Sequence, residues 1–508
     1  MLKKEPLSPI ISAAAGAAFF FYGASALGGS ARIPFFSLLF ILLLVLLCVL
    51  ESLNEFLFSF PSHAAQRQVR RLLTQLAAFS IGASIGSGAC CSLPVPAQLG
   101  IPDTQVRGLR GILLDDPRHF PDGPGMAFLE LSRDVPAVSG LGGVRSSGKG
   151  RVMVFFPSHA MPRLKEFGRK SEVYLEGLMQ ENRGKTADAL IFRASAAHII
   201  RAPSGIQQFR TLIRMNMLGR LEAQPWGALA AALLLGVRDK LSDSLSDDFR
   251  DAGCSHILAL SGMHLAVISG LIALVLKKPL GIRVAAAAGG LLISAYVYLV
   301  GALPSLIRAA LMYIMGSAAV FWNLPRKAGV LLSAAFLMQL AADPSSGNSL
   351  SFIFSYLALA GILSAGTGIQ FLLKGRVPDC ILNPSAASAG AFLGTSAVTA
   401  VCFGVLRPAG MASSLVLTPL ISVFMLVSLL WLIGGALFPP LGAVLGTGLS
   451  HGYAVIGDII SWGAAVPGFG ITRKGTAALF LVLFTAALIL VSRRAEFRMK
   501  GIGSFDQL

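Results

Sequence analysis

The segment Gly253-Cys-Ser-His-Ile-Leu-Ala-Leu-Ser-Gly-Met-His264 gathers two serines, two histidines and a cysteine within an otherwise apolar stretch. Ser261 and His264 are three residues apart, a spacing that puts two side chains on one helical face, so a nucleophile–base pair is chemically conceivable. No acidic residue follows His264 within helical reach to orient the imidazole, and Asp251 belongs to the charged segment before it. Ser261 and Gly262 are equally the small residues that close helix packing selects. His256 and His264 would sit about 80° apart around a helix. They lack a third ligand nearby, so no metal and no other cofactor is expected.

Two further groups stand out. In Gly301-Ala-Leu-Pro-Ser-Leu-Ile-Arg308, Pro304 breaks or kinks a helix and Arg308 follows one turn later. A permanent charge at membrane depth needs a partner or a wet cavity. Arg308 therefore reads as a phosphate contact in a polar channel, or as an internal ion pair or snorkelling side chain. Asp343-Pro344 ends one helix, and Ser349, Ser351, Ser355 and Tyr356 follow. Ser351 and Ser355 share a face of the next helix, where bonding between helices is the ordinary role of serine.

The elements that position these groups must be membrane helices. Of 508 residues, 54% are hydrophobic and only 13% charged, against about 45–50% and about 25% in soluble domains. Mean hydropathy is +0.71. This composition excludes an ordinary cytoplasmic enzyme, a disordered chain and a fibrous repeat. The 42 Lys and Arg against 25 Asp and Glu leave a net charge of +17. Part of that is the usual excess of cytoplasmic loops, and the rest can attract a polyanion. The six cysteines form no CxxC pair and read as packing residues.

Apolar runs at 10–27, 33–50 and 72–91 are each long enough to cross a bilayer. A second run following the first at once favours a retained anchor over a cleaved leader. Arg67, Arg70 and Arg71 place the loop between the second and third runs in the cytoplasm, and so residues 92–225 outside. That segment alternates short apolar stretches with Gly, Pro and Asp. Strands are expected at 105–114, 126–134, 151–156, 171–179 and 187–194, the number for a small barrel of the OB type. From 226 the chain is apolar again. The pattern predicts a half-helix at 226–237 and an amphipathic interfacial helix at 238–253. Spans are expected at 255–276, 284–303, 304–322, 328–342, 350–373, 386–406, 412–438, 441–465 and 476–492. The expected fold is thus a polytopic α-helical membrane protein of about twelve spans with an inserted extracytoplasmic OB-like barrel. Its parts are N-terminal spans (1–91), the barrel domain (92–225), a membrane channel domain (226–492) and a cytoplasmic tail (493–508). Arg407, Arg473 and Lys474 fall on the outer side, against the charge rule.

The stretch Leu233-Leu-Leu-Gly-Val-Arg238, then Phe249, then the 253–264 block, resembles the core motif of the ComEC competence family. Pro304-Ser305 with Arg308, and Asp343-Pro344 with Phe352 and Ser355-Tyr356-Leu-Ala-Leu-Ala-Gly361, resemble its next elements. Ile353 and Val237 depart from the family pattern, standing where Gln and Asp are frequent. The resemblance implies an inner-membrane channel that admits single-stranded DNA during natural transformation, with an external OB-like domain. On that reading Arg238, His256, Ser261, His264, Ser305, Arg308 and Ser355 line the DNA path, and none is catalytic. The implied partners are single-stranded DNA, membrane lipid, a DNA-receptor protein, a cytoplasmic helicase and a separate nuclease. The last is expected because larger family members end in a metallo-β-lactamase-like domain, and this sequence holds no His-x-His-x-Asp-His motif. The rival readings are a transporter of a small anion or envelope precursor, and an intramembrane hydrolase using Ser261 and His264.

Overall fold

Val152, Val154 and Phe156 alternate with less buried neighbours along one strand, and all three are fully buried. That alternation is the sequence signal of a barrel wall with one face in the core. The computed structural model describes residues 9–25, 106–119, 125–131, 135–137, 144–146, 148–157, 168–180 and 190–502, with isolated positions between 74 and 99. Five strands make the barrel: β1 (Gly108–Leu113), β2 (Gly125–Leu131), β3 (Arg151–Phe156), β4 (Glu172–Gln180) and β5 (Leu190–Arg201). They pair in the closed order β1-β2-β3-β5-β4-β1, antiparallel throughout except for the parallel β3–β5 contact. Leu109, Leu113, Leu129, Val173, Leu175 and Phe192 complete a core with no exposed surface. Gly111 and Gly177 face the carbonyls of Glu130 and Arg193 so closely that a Cβ would collide, which lets the sheet curl into closure.

One expectation for this region needs correction: the fifth strand runs to Arg201, because its second half stays registered with β4 across two bulges. After it, where no element is expected from the sequence, comes a helix, α2 (Gly205–Glu222); α1 is Pro9–Ser25. The α2 residues repeat with helical period, and its inner face is polar, with Gln207, Arg210 and Thr211 buried.

The half-helix expected at 226–237 is α3 (Gly227–Leu235), ended by Gly236 in the left-handed conformation (φ 68°). Leu229 to Leu235 are all buried, beneath Trp226, which meets the Trp431 ring edge-on at 5.0 Å. The amphipathic segment is α4 (Asp243–Asp251), capped by Ser242, with Leu245 and Phe249 buried. The span expected at 255–276 is interrupted. A single turn, α5 (Ser255–Leu258), is followed by extended backbone at Ala259 and Ser261 before α6 (Gly262–Val300) begins. His256 and His264 therefore do not share a helix. The helix α6 itself breaks at Gly281, just after Pro279.

The remaining helices are α7 (Pro304–Phe321), α8 (Ala328–Ala342), α9 (Leu350–Gly361), α10 (Thr367–Leu373), α11 (Asp379–Phe403), α12 (Ala409–Leu437), α13 (Pro439–Ala464) and α14 (Lys474–Ile502). A π-helical turn, Ile362–Gly366, joins α9 to α10 into one 24-residue apolar helix. Among the described residues seven segments are long and apolar enough to cross a membrane. Of the nine spans expected after residue 226, 328–342 and 476–492 are represented by shorter apolar helices, Ala328–Ala342 and Lys474–Ile489. Of the three expected before residue 92, 10–27 is a helix, 33–50 lies outside the described residues, and 72–91 is described only at isolated positions. The α1 helix packs Ala17 and Phe21 against Leu340 and Phe352, and Tyr22 Oη donates to the Gly347 carbonyl at 3.0 Å.

Candidate polar site between broken helices

Two chain breaks bring the polar residues together: the extended turn 259–261 before α6, and the Gly301–Leu303 turn before α7. Pro304 does not kink a helix but starts one, at a position where its missing N–H costs nothing. Ser305 then lies in the first turn of α7, buried, and its Oγ donates to the Leu260 carbonyl at 2.6 Å. One turn later Arg308 is buried against the start of α6, with a guanidinium nitrogen packed on Gly262. Its Nη1 donates to the Ser355 carbonyl, and its Cζ lies 5.9 Å from the centre of the Tyr356 ring. Ser355 thus enters the site through its backbone.

Ser261 caps α6. Its Oγ accepts the Met263 N–H at 3.3 Å, while its own N–H donates to His264 Nδ1 at 3.1 Å. Ser261 Oγ also stands 3.1 Å from Nδ1. A single in-plane lone pair on Nδ1 serves both groups, and the Nε2 that a carboxylate would grip in a triad is buried with no partner among the described residues. The arrangement is a capping box, which fixes where α6 begins and holds the imidazole in place. The pair is close because Ser261 precedes the helix, not because the two residues share a helical face.

Of the other sequence candidates, Arg238 is exposed and acts electrostatically on His264. His256 stands apart from the Arg308 group: its Nε2 lies 3.4 Å from Ser414 Oγ on α12. The structure therefore joins Ser261, His264, Ser305, Arg308 and the Ser355 carbonyl, and places His256 on a different helix pair. Among the described residues no group of three His, Cys, Asp or Glu side chains could hold a metal ion.

Gln339 and Tyr356 complete the cluster. The Gln339 amide donates to the Pro304 carbonyl at 3.1 Å and accepts from Tyr356 Oη at 3.0 Å, so α8 and α9 are both tied to the α7 start. Gln339 was legible as a lone amide in an apolar helix. A second polar group, on the barrel side, was not. Asp116, in the turn after β1, is gripped by Arg210 of α2 through two bonds of 3.1 and 2.7 Å. Arg210 Nε donates to the Tyr298 carbonyl at 2.7 Å and Arg214 Nη1 to the Val300 carbonyl at 2.8 Å, both at the C-terminal end of α6. Burial raises the Asp116 pKa, but Arg210, Arg214 and the Arg169 N–H together outweigh it and hold the carboxyl below its usual range. Arg407 is likewise bound, to the Asp251 carbonyl at 2.6 Å and its Oδ1 at 3.0 Å. This structural use accounts for a cation against the charge rule.

Fold and site together define a multi-span helical membrane protein in which a small barrel precedes helices broken around buried polar groups. The chain belongs to the competence protein family, whose model matches residues 233–496. It is also 31% identical over 136 residues to ComE operon protein 3 of Bacillus subtilis (strain 168), a stretch covering 25% of this chain and 17% of that protein. No solved structure matches the chain.

Proposed function

We propose that this protein is the inner-membrane channel through which single-stranded DNA enters the cell in natural transformation, and that it acts as a channel rather than an enzyme. Family membership supports a role in competence DNA uptake. The observation that carries the channel reading is the pair of buried donors, Arg308 Nε and His264 Nε2, that find no acceptor among the described residues. Buried donors are rarely left unpaired, and phosphate oxygens passing between α6, α7 and α9 are acceptors of the right kind. Broken helices at such a site match the way transporters present polar backbone to a substrate. Arg238, Ser261, Ser305 and Ser355 would border the same route, with His256 and Ser414 further along.

The barrel's strand order, with strands 3 and 5 parallel, supports an OB reading; on this proposal the domain lies outside the membrane and guides the strand. Phe156 and Phe192 belong to its core; Phe128, Phe155 and Tyr174 are half-buried and Phe209 is exposed, so these four are the aromatics available for base stacking. Phe120 and Phe167 lie outside the described residues.

The test is entry of labelled DNA in a deletion strain carrying variants, scored beside the amount of protein in the membrane. Arg308→Ala should lose most uptake and Arg308→Lys should keep part of it, because a compact ammonium lacks the bidentate fork. Normal uptake by a well-expressed Arg308→Ala, His264→Ala double variant refutes the route. Labelled DNA excluded while a small anion still enters would instead favour the transporter reading.

A further inference from the structure

Opposite the polar site, the second half of α6 and the antiparallel α7 leave an open groove of about 490 Å³ on the outer face of the helix pair. Ala286, Ala287, Gly290 and Ser294 floor it on one side, and Ser317 and Ala318 on the other. From Arg283 to Ser294 it runs about 16 Å at the α-helical rise, close to the thickness of one leaflet's hydrocarbon layer. Its apolar length therefore matches an acyl chain.

One end of the groove has a different chemistry. Arg283 lies there with its Cζ 6.0 Å from the Phe321 ring, beside Trp322, which is 67% exposed. Lys277 and Lys278 precede the α6 break and Arg326 follows α7, so with Arg283 four cations lie at this end of the helix pair. Between Ala252 and Ala342 the sequence contains no Asp or Glu at all. Exposed aromatics beside such a cluster mark the level of lipid headgroups. The Arg283 charge at the mouth of the groove is complementary to an anion, and neither α6 nor α7 carries an acidic side chain to pair with it.

We propose that the α6–α7 groove binds one anionic phospholipid of the leaflet faced by its basic end. The acyl chain lies over Gly290, and the phosphate is held at Arg283. A Cβ built on Gly290 meets no atom within 4 Å, so a side chain placed there fills the groove without disturbing the packing of α6. That gives a test with separable arms. The full-length protein, purified in detergent, is offered equimolar phosphatidylglycerol and phosphatidylcholine, and retained lipid is counted by native mass spectrometry. Each variant is used only if it elutes as the wild type does.

Wild type should retain phosphatidylglycerol preferentially. Arg283→Gln should lower that preference about five-fold, the effect of one basic residue at a headgroup, while still retaining lipid. Gly290→Leu should lose retention of both lipids, and Arg376→Gln, on a loop outside the groove, should change nothing. Equal retention of the two lipids by wild type, full retention by Gly290→Leu, or an equal loss in Arg376→Gln overturns the site. Because DNA is absent from this experiment, its outcome is independent of the channel reading.

Discussion

Replacing Arg210 by Met should loosen the barrel from the membrane helices without unfolding either. Arg210 is only 3% exposed and makes three charge-assisted bonds, two to Asp116 and one to the Tyr298 carbonyl. Breaking a buried ion pair by removing one partner costs about 3–5 kcal/mol. Asp116 is 26% exposed and keeps both the Arg169 N–H at 3.0 Å and Arg214 at 3.9 Å, so the lower end applies. A cost of about 3 kcal/mol corresponds to roughly a 150-fold rise in local opening. Hydrogen exchange on the detergent-solubilised full chain reads this directly, as lost protection in α2 and in the turn after β1. Protection in α11, which packs on α9, α10, α12 and α14, should not move. Because the folded pKa of Asp116 is depressed, its stabilisation is fully present above the unfolded carboxylate value of about 3.9. It is lost as pH falls through the lower folded value. Wild-type protection of α2 should thus be flat from neutral pH to about pH 5 and fall only in stronger acid. Unchanged α2 exchange in a folded Arg210→Met variant would sink the clamp.

Three other outcomes are expected. A periplasm-active reporter inserted near Gly148 should be active and one near Gly375 inactive; the reverse would put residues 92–225 on the cytoplasmic side and overturn the proposed uptake direction. If the barrel guides DNA, binding by the full protein should prefer single strands and weaken steeply with added salt, and salt-independent binding would leave the barrel a scaffold. Ser261→Ala should cost about 1 kcal/mol as a lost N-cap and leave any hydrolytic activity of the preparation unchanged, whereas abolition of such activity would restore the nucleophile reading.

Much of this was legible because membrane helices and barrel strands write simple patterns. Val152, Val154 and Phe156 announced their strand by alternation, and Leu245 and Phe249 their helix by a four-residue repeat. Ser261 to His264 was legible as a pair but not as a cap, since an apolar run gives no sign of extended backbone at Ala259 and Ser261. The Asp116 clamp could not be read at all. Its members stand 94 residues apart, and neither lies in a motif. Ordinary charges in a mildly basic segment acquire meaning only once the barrel closes and the α6 carbonyls arrive.

The parallel β3–β5 contact has a mechanical consequence. β5 leads into α2 through three residues, 202–204, so any pull between barrel and membrane helices travels along the axis of β5. Nine registered positions with β4 and four with β3 lie alongside that axis. A strand of DNA drawn inward would load those ladders in shear, many bonds at once, instead of peeling them one by one. The barrel is thus joined to its base through its most extensively paired strand, and a DNA strand held there as proposed would pull on all of those bonds together.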